Sequence, residues 1–349
     1  MINVAIIFGG ASSEHEVSKA SAINIINNIN KEKYNVIPIY VTPKGKWLLY
    51  DGNLDNVKNI EWEKFGTQAV ISPDTSHNGI LRLTQGKFKS IPIDVAFPVL
   101  HGKNGEDGTI QGLLDLAKIP YVGCNVYSSA ISMDKALTKI MINYLGIEQA
   151  KYLTFTEHEL NIETMCKEIR YKIGYPCFVK PSRAGSSIGI NKVHNKRELM
   201  SAILEAFEFD NKIVVEKAVN GREIECAVLG RGYEDTIAST PGEILTGAEF
   251  YDFDAKYNNK DSKIIIPALI KTEKEKEVKE KSLKIFKALG CSGLSRVDFF
   301  LEDKTDKIIF NEINTMPGFT DISMYSMLIN NMGITTEKLI DKLIDIALQ

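Results

Sequence analysis

The chain has 349 residues, more than one ordinary core accommodates, so two or three domains are expected. Its composition, 44% hydrophobic and 25% charged with a formal net charge of −3, is that of a globular protein and argues against a broad basic surface for nucleic acid. Five scattered cysteines without a C-x-x-C pair argue against a disulfide framework and against zinc, and no run of about 18 apolar residues suggests membrane insertion. The apolar start "MINVAIIFGG" lacks a basic leader and a cleavage site, so a cytoplasmic protein is expected.

In chain order, "NVAIIF" (3–8) reads as a strand ending in Gly9-Gly10, followed by a helix from about Val17 to Asn30. "YNVIPIYVT" (34–42) and "DVAFPVL" (94–100) are further strands, and the alternation predicts a parallel α/β sheet. Residues 51–90 carry weaker signals and read as a peripheral excursion. Glu14 and Glu16 follow the first strand; Glu14 could bind an ammonium, or the acids could serve a helix first turn capped by Ser12 or Ser13. "LHGKNGEDGTIQG" (100–112) follows a strand, where open α/β sheets place ligands, and puts His101, Glu106 and Asp107 in one loop.

A helix is expected over 126–145, strands at 175–181 and 212–219, and a helix at 196–208 between them. "VKPSRAGSSIGI" (179–190) sets Lys180 before a Gly/Ser turn, the reverse of the common nucleotide loop, which places its lysine after the glycines. Lys180 could grip a phosphate or be solvated. Ser186 and Ser187 could donate to phosphate or form only a flexible turn. "EIECAVLG" (223–230) reads as a strand. The polar, aromatic loop 247–263 is long for a connection, as lids are. The charge run 271–284 reads as a solvated helix face.

"LSRVDFFLE" (294–302) and "KIIFNEIN" (307–314), joined by "DKTD", predict an antiparallel hairpin. Strand alternation then sets Asp298 opposite Glu312 and Arg296 opposite Asn314 on one face, with Val297, Phe299 and Ile313 on the other. Two carboxylates and an amide suit magnesium; an ordinary ion-paired surface face is the bland alternative. A closing helix is expected near 335–348.

The order of these features resembles the ATP-grasp enzymes. "FGGASSEHEVS", "HGKNGEDGTIQG", "SMDKALTK", "VKPSRAGSSIGI", "FYDFDAKY", "SRVDFF" and "NEINTMPGFT" narrow the resemblance to the D-alanine–D-alanine ligases across nearly the whole chain. The resemblance implies α/β and α+β architecture. A Rossmann-like N-terminal domain (1–122) is followed by the two ATP-grasp lobes, 123–211 and 212–349, the latter with the lid loop 247–263. It implies ATP as co-substrate with two Mg2+ (or Mn2+), a homodimer, and D-alanine as substrate.

By position, Glu216, Lys217 and Val219 would face adenine, and Glu223 the ribose. Lys135, Lys180, Ser187 and Lys256 would contact phosphates. Asp298, Glu312 and Asn314 would hold the metals. Glu14 would take the first ammonium with His101 nearby, and Arg296 and Gly318 the oxyanion. Ser186 and Tyr257 would join Glu14 in a network, and Ser323 and Met324 would border the second amino acid.

The resemblance extends to resistance-type relatives that add D-lactate or D-serine. Lys256-Tyr257 argues against lactate, and Met324 argues for D-alanine over D-serine. Ala184 and Ser326 depart from the family's usual glutamate and proline. A different ATP-grasp ligase, a dinucleotide-dependent oxidoreductase without G-x-G-x-x-G, and an inactive binding module fit less of the pattern.

Overall fold

A computed structural model describes residues 1–158, 161–233, 235–245 and 263–349. Lys256 and Tyr257, with nearly all of the expected lid, lie outside the described residues.

Three sheets organise the chain. The first is centred on β1 (Ile2–Gly9), flanked in parallel by β2 (Tyr34–Val41) and β7 (Val95–Pro98). Helix α1 (His15–Asn28) makes the crossover from β1 to β2. Val4 to Phe8 are fully buried, as expected of a strand covered on both faces, and this explains its unbroken apolar run.

Beyond β2 the sheet continues with antiparallel strands that the strand–helix alternation does not predict. Strands β3 (Trp47–Leu49), β4 (Thr67–Ile71), β5 (Gly79–Thr84) and β6 (Lys87–Pro92) extend the same sheet antiparallel, in the order β6-β5-β4-β3-β2-β1-β7, with the single-turn helix α2 (Trp62–Phe65) between β3 and β4. Residues 67–92 are therefore sheet rather than excursion. Alternation is blurred in β6, an edge strand exposed along most of its length, with Lys87 and Lys89 guarding the edge.

Helix α3 (Thr109–Ala117) returns across this sheet. The single helix expected over 126–145 is two, α4 (Val126–Met133) and α5 (Lys135–Tyr144). Asp134 breaks them, because its carboxylate caps α5 by accepting from Ala136 N (3.1 Å) and Leu137 N (3.2 Å).

The second sheet comprises β8 (Tyr152–Thr156), β9 (Cys177–Pro181), β10 (Asn191–Val193) and β11 (Lys212–Lys217), in the order β10-β9-β11-β8. Helices α6 (Ile162–Lys172) and α7 (Lys196–Phe209) cover it through Met165, Ile169, Leu199 and Ile203. A lobe boundary at 211/212 would separate β11 from its own sheet partners, β8 and β9.

The third sheet runs β15-β14-β12-β16-β17, with the short β13 (Ile237–Ala238) beside β12. Its strands are β12 (Gly221–Gly230), β14 (Gly242–Leu245), β15 (Lys263–Ile265), β16 (Gly293–Glu302) and β17 (Ile308–Asn314). Helix α8 (Thr272–Ala288) packs Val278, Ile285 and Phe286 onto one face, leaving its lysines and glutamates outward. On the other side, Leu229 and Leu294 join a core shared with α1, β1, α9 (Met324–Asn331) and α10 (Thr336–Leu348).

Candidate active site

The β16–β17 hairpin supplies the first group of functional side chains. Arg296 pairs with Asn314 and Asp298 with Glu312, the register read from the sequence, with an irregularity between Asp298 and Phe299. Val297, Phe299 and Ile313 are buried on the opposite face. Arg296 binds Asp298 in a fork, Nε to Oδ1 and a terminal nitrogen to Oδ2, both 2.8 Å, and its Nε lies 2.8 Å from Glu225. Asn314 Nδ2 adds a bond to Asp298 Oδ2 at 2.9 Å. Burial opposes the guanidinium's charge, but Asp298, Glu225 and Glu312 outweigh it and hold its pKa well above the ordinary value. Arg296 is therefore a fixed positive charge.

A second group sits where β9 and β11 face the third sheet. Glu216 accepts two lysines, Lys139 at 3.3 Å and Lys180 at 3.4 Å. Burial pushes the Glu216 carboxyl up, but the two cations win and it stays below its usual range. Lys139 is 1% exposed. Its pKa is lowered by burial, with repulsion from Lys180 and Lys135 reinforcing it against a carboxylate it must share. Next to this trio, Lys217 Nζ donates to the Tyr175 carbonyl (2.7 Å).

The Gly/Ser turn after β9 connects both groups. Ser186 and Ser187 hold φ of 51° and 59°, a left-handed conformation uncommon outside glycine and a form of strain that concentrates at ligand sites. Lys135, at the start of α5, reaches over to donate to the Ala184 carbonyl at 2.6 Å. Asp134 ties helix to strand by accepting from Ser182 Oγ (2.7 Å) and from Lys212.

The first domain supplies the rest. Glu14 occupies the N-cap position of α1 without capping through its side chain, and its backbone N–H donates to Ser12 Oγ. Its carboxylate lies against Gly102 and Gly185, where a methyl group on Gly102 would overlap it and one on Gly185 would come within 3.0 Å. Gly102 also has φ of +70°, so glycine is required there twice over. His101 is 3% exposed, and both ring nitrogens are engaged: Nδ1 with the Met316 carbonyl (2.9 Å) and Nε2 with Ser21 Oγ (3.0 Å). Burial lowers its pKa, which keeps the ring neutral. Glu106 accepts Gly102 N–H (2.8 Å) and Met316 N–H (3.1 Å). Burial first, then repulsion from Glu14, raises its pKa to about 8.

Two adjoining cavities collect these residues. One is lined by Glu14, His101, Lys135, Ser186, Arg296 and Gly318. The other is lined by Lys180, Glu216, Lys217, Val219 and Glu223. Ser187 and Glu312 line both, and Asn314 lines the first. Asp298 lies behind them, 1% exposed. Ser323 and Met324 line neither. Ser323 Oγ bonds Thr320 N and Oγ1 (3.0 and 2.7 Å), and Met324 packs in the core against Gly242. Sequence reasoning did not assign Lys139 or Glu225 to the site, and it singled out Glu106 only as part of a ligand-placing loop, without a role. The second lysine of "DKALTK", four residues after Lys135 on one helix face, was a usable signal for Lys139.

A cleft between two sheets, lined by Lys180 and Lys217 and adjoining the cavity of the carboxylate–arginine hairpin, is the arrangement of the ATP-grasp class. Comparison narrows the class. Residues 3–124 match the family described as "D-ala D-ala ligase N-terminus" and residues 141–345 the one described as "D-ala D-ala ligase C-terminus". The chain belongs to the D-alanine–D-alanine ligase family. It is 51% identical to a D-alanine–D-alanine ligase of Acetivibrio thermocellus over 99% of this chain and 96% of the relative. It is similar to the crystal structure of the VanG D-Ala:D-Ser ligase from Enterococcus faecalis, with TM-score 0.90, 44% identity and 99% of each chain covered. It also resembles a D-alanine–D-alanine ligase from Bacillus anthracis solved in complex with ATP, with TM-score 0.73, 30% identity, and 100% of this chain and 98% of that chain covered.

Proposed function

We propose that this protein joins two D-alanines into D-alanyl-D-alanine at the expense of ATP, supplying the dipeptide of peptidoglycan precursors in the cytoplasm. The observation that carries the reading is the junction of the two cavities. Ser187 and Glu312 stand where a nucleotide's terminal phosphate would meet the carboxylate of an amino acid held by Glu14.

A free carboxylate is a poor acyl donor because its leaving group would be oxide. Attack of the first D-alanine's carboxylate on the γ-phosphorus releases ADP and leaves an acyl phosphate. The second D-alanine, its ammonium having lost a proton, then attacks the acyl carbon through its free amine, and the further proton shed on forming the amide leaves with the phosphate. The resulting oxyanion meets the Arg296 guanidinium and the Gly318 N–H, and its collapse expels phosphate and leaves the peptide bond. Glu216, Lys217 and Val219 face the base and Glu223 the ribose, while Lys135, Lys180, Ser187 and Lys256 take the phosphates. Glu14, at the N-terminus of α1, receives the first ammonium.

The all-oxygen donor set on paired strands, Asp298, Glu312 and Asn314, fits magnesium or manganese. Bound there, two such ions offset the charge of the phosphates. Ser186 and Tyr257 would link Glu14 to the lid, which excludes water from the acyl phosphate.

Ligation of D-serine as the second amino acid is the competing reading, favoured by the similarity to the VanG ligase. A pocket that accepts a methyl group rejects an added hydroxyl only weakly. The test is a mass-resolved product assay with ATP, magnesium and D-alanine, alone or with equal D-serine or D-lactate. D-alanyl-D-alanine dominant in every mixture supports the main reading. A dominant mixed product with D-serine replaces it. The expected homodimer is read by sedimentation of the same preparation.

A further inference from the structure

The turn between Thr315 and Thr320 leaves the third sheet, yet side chains of the first domain hold its backbone. Met316 is gripped at both ends: its N–H donates to Glu106 (3.1 Å) and its carbonyl accepts from His101 Nδ1 (2.9 Å). Phe319 is gripped in the same way. Its N–H donates to Ser21 Oγ (3.1 Å) and its carbonyl accepts from Asn24 Nδ2 (2.9 Å). Gly318 lies between the two held residues.

The proton positions follow from the network. The Met316 carbonyl can only accept, so His101 carries its proton on Nδ1. The Nε2 of the neutral ring then accepts from Ser21 Oγ at 3.0 Å, while Ser21 Oγ accepts from Phe319 N–H. Asn28 Nδ2 donates to Asn24 Oδ1 at 2.9 Å, which turns the Asn24 amide nitrogen toward Phe319. Ser21 is fully buried and Asn24 nearly so, and the Phe319 ring is locked edge-on against Phe97 of β7.

A turn outside regular structure has buried amide groups that need partners. Its own sheet could have supplied them. Here the first domain does, through two residues three apart on α1 and two in the loop after β7.

We infer that Ser21 and Asn24 are positioning residues for ligation: together with His101 and Glu106 they fix the Met316–Phe319 turn and so aim the Gly318 N–H at the oxyanion. The inference rests on the reading of Gly318 as an oxyanion donor. Such donors act only when preorganised, and losing one costs a hundredfold or more in rate, so partial misalignment is expected to cost about tenfold.

The experiment uses the full chain with Ser21→Ala and Asn24→Ala. The probes are a phosphinate analogue of the dipeptide, a tetrahedral anion, and D-alanyl-D-alanine, which is planar at the same position. The expected result is that kcat and phosphinate affinity fall about tenfold in each variant, while the KM for ATP and inhibition by the dipeptide stay within about twofold. Phosphinate affinity unchanged in both variants overturns the inference. Equal losses for phosphinate and dipeptide also overturn it, because the side chains then support the site only in general. If wild-type protein binds the phosphinate no more tightly than the dipeptide, the oxyanion reading itself fails and the inference falls with it. If the alanine variants do not fold, Asn24→Asp, which keeps the shape but loses the donor, carries the same comparison.

Discussion

Arg296 and Asp298 stand two residues apart on β16 and grip each other through two hydrogen bonds of 2.8 Å. A neighbouring pair on one strand face is thus also the charge centre of the site. Asp298 and Glu225 are 1% and 2% exposed, so the guanidinium compensates two buried carboxylates. A sequence reading that gives Arg296 a catalytic role alone expects Arg296→Ala to fold normally and lose ligation. The structure adds a stability loss of about 3 kcal/mol or more, from carboxylates left without their cation. Arg296→Lys should restore part of the stability but little activity, because an ammonium cannot make the fork. Chemical unfolding paired with a phosphate-release assay separates the two effects.

Lys139→Met should destabilise the fold by about 3 kcal/mol and raise the KM for ATP, since Glu216 loses its buried partner and draws Lys180 toward itself. Adding Glu216→Leu should recover part of the stability without recovering nucleotide affinity. Unfolding curves and ATP titrations of the single and double variants check this, and stability unchanged in Lys139→Met would contradict the pairing.

Glu106 gives the ligand-free protein a specific pH response. Its pKa stands at about 8 in the fold against an ordinary 4.5. Between those values the native protein holds a proton that the unfolded chain has released. Stability attributable to this group therefore falls as pH rises through that window, by at most about 1.4 kcal/mol per pH unit, and levels off above it. Glu106→Gln, which cannot ionise, should lack this component. Parallel pH-stability slopes for the two proteins would refute it.

Ser326 is fully buried on the first turn of α9, and its hydroxyl has no hydrogen-bond partner among the described residues. Ser326→Ala removes that unpaired group and should stabilise the protein by about 1 kcal/mol, with kcat unchanged. A destabilised variant would show that the hydroxyl has a partner after all.

Where local spacing governs, the sequence was legible. The β16–β17 register followed from a short turn and two-residue alternation, and it brought Arg296, Asp298, Glu312 and Asn314 together as expected. The family motifs placed Glu14, His101, Lys180 and Gly318 around adjoining cavities. Contacts across long chain separations were not legible. Nothing near Ser21 or Asn24 announces that Phe319 will need them, although both lie on a face of α1 where a simple amphipathic helix would carry apolar residues. Met324 was misjudged in direction, because sequence places a residue beside a site without saying that its side chain turns into the core. Among the antiparallel strands within 67–92, β6 was hidden by its exposure, which erases the periodicity on which a strand reading depends.

Helix α10 carries a consequence for synthesis. Leu339, Ile340, Leu343 and Ile344 pack in one core with Val4, Ile6, Ala22 and Ile25. The first strand and the last helix are thus halves of a single hydrophobic unit. On a ribosome the N-terminal domain emerges early but cannot close that core until residues 336–348 have been translated. Its apolar underside must wait through the making of both other sheets, which makes it the surface a chaperone would engage and the part of the nascent chain most exposed to misassembly.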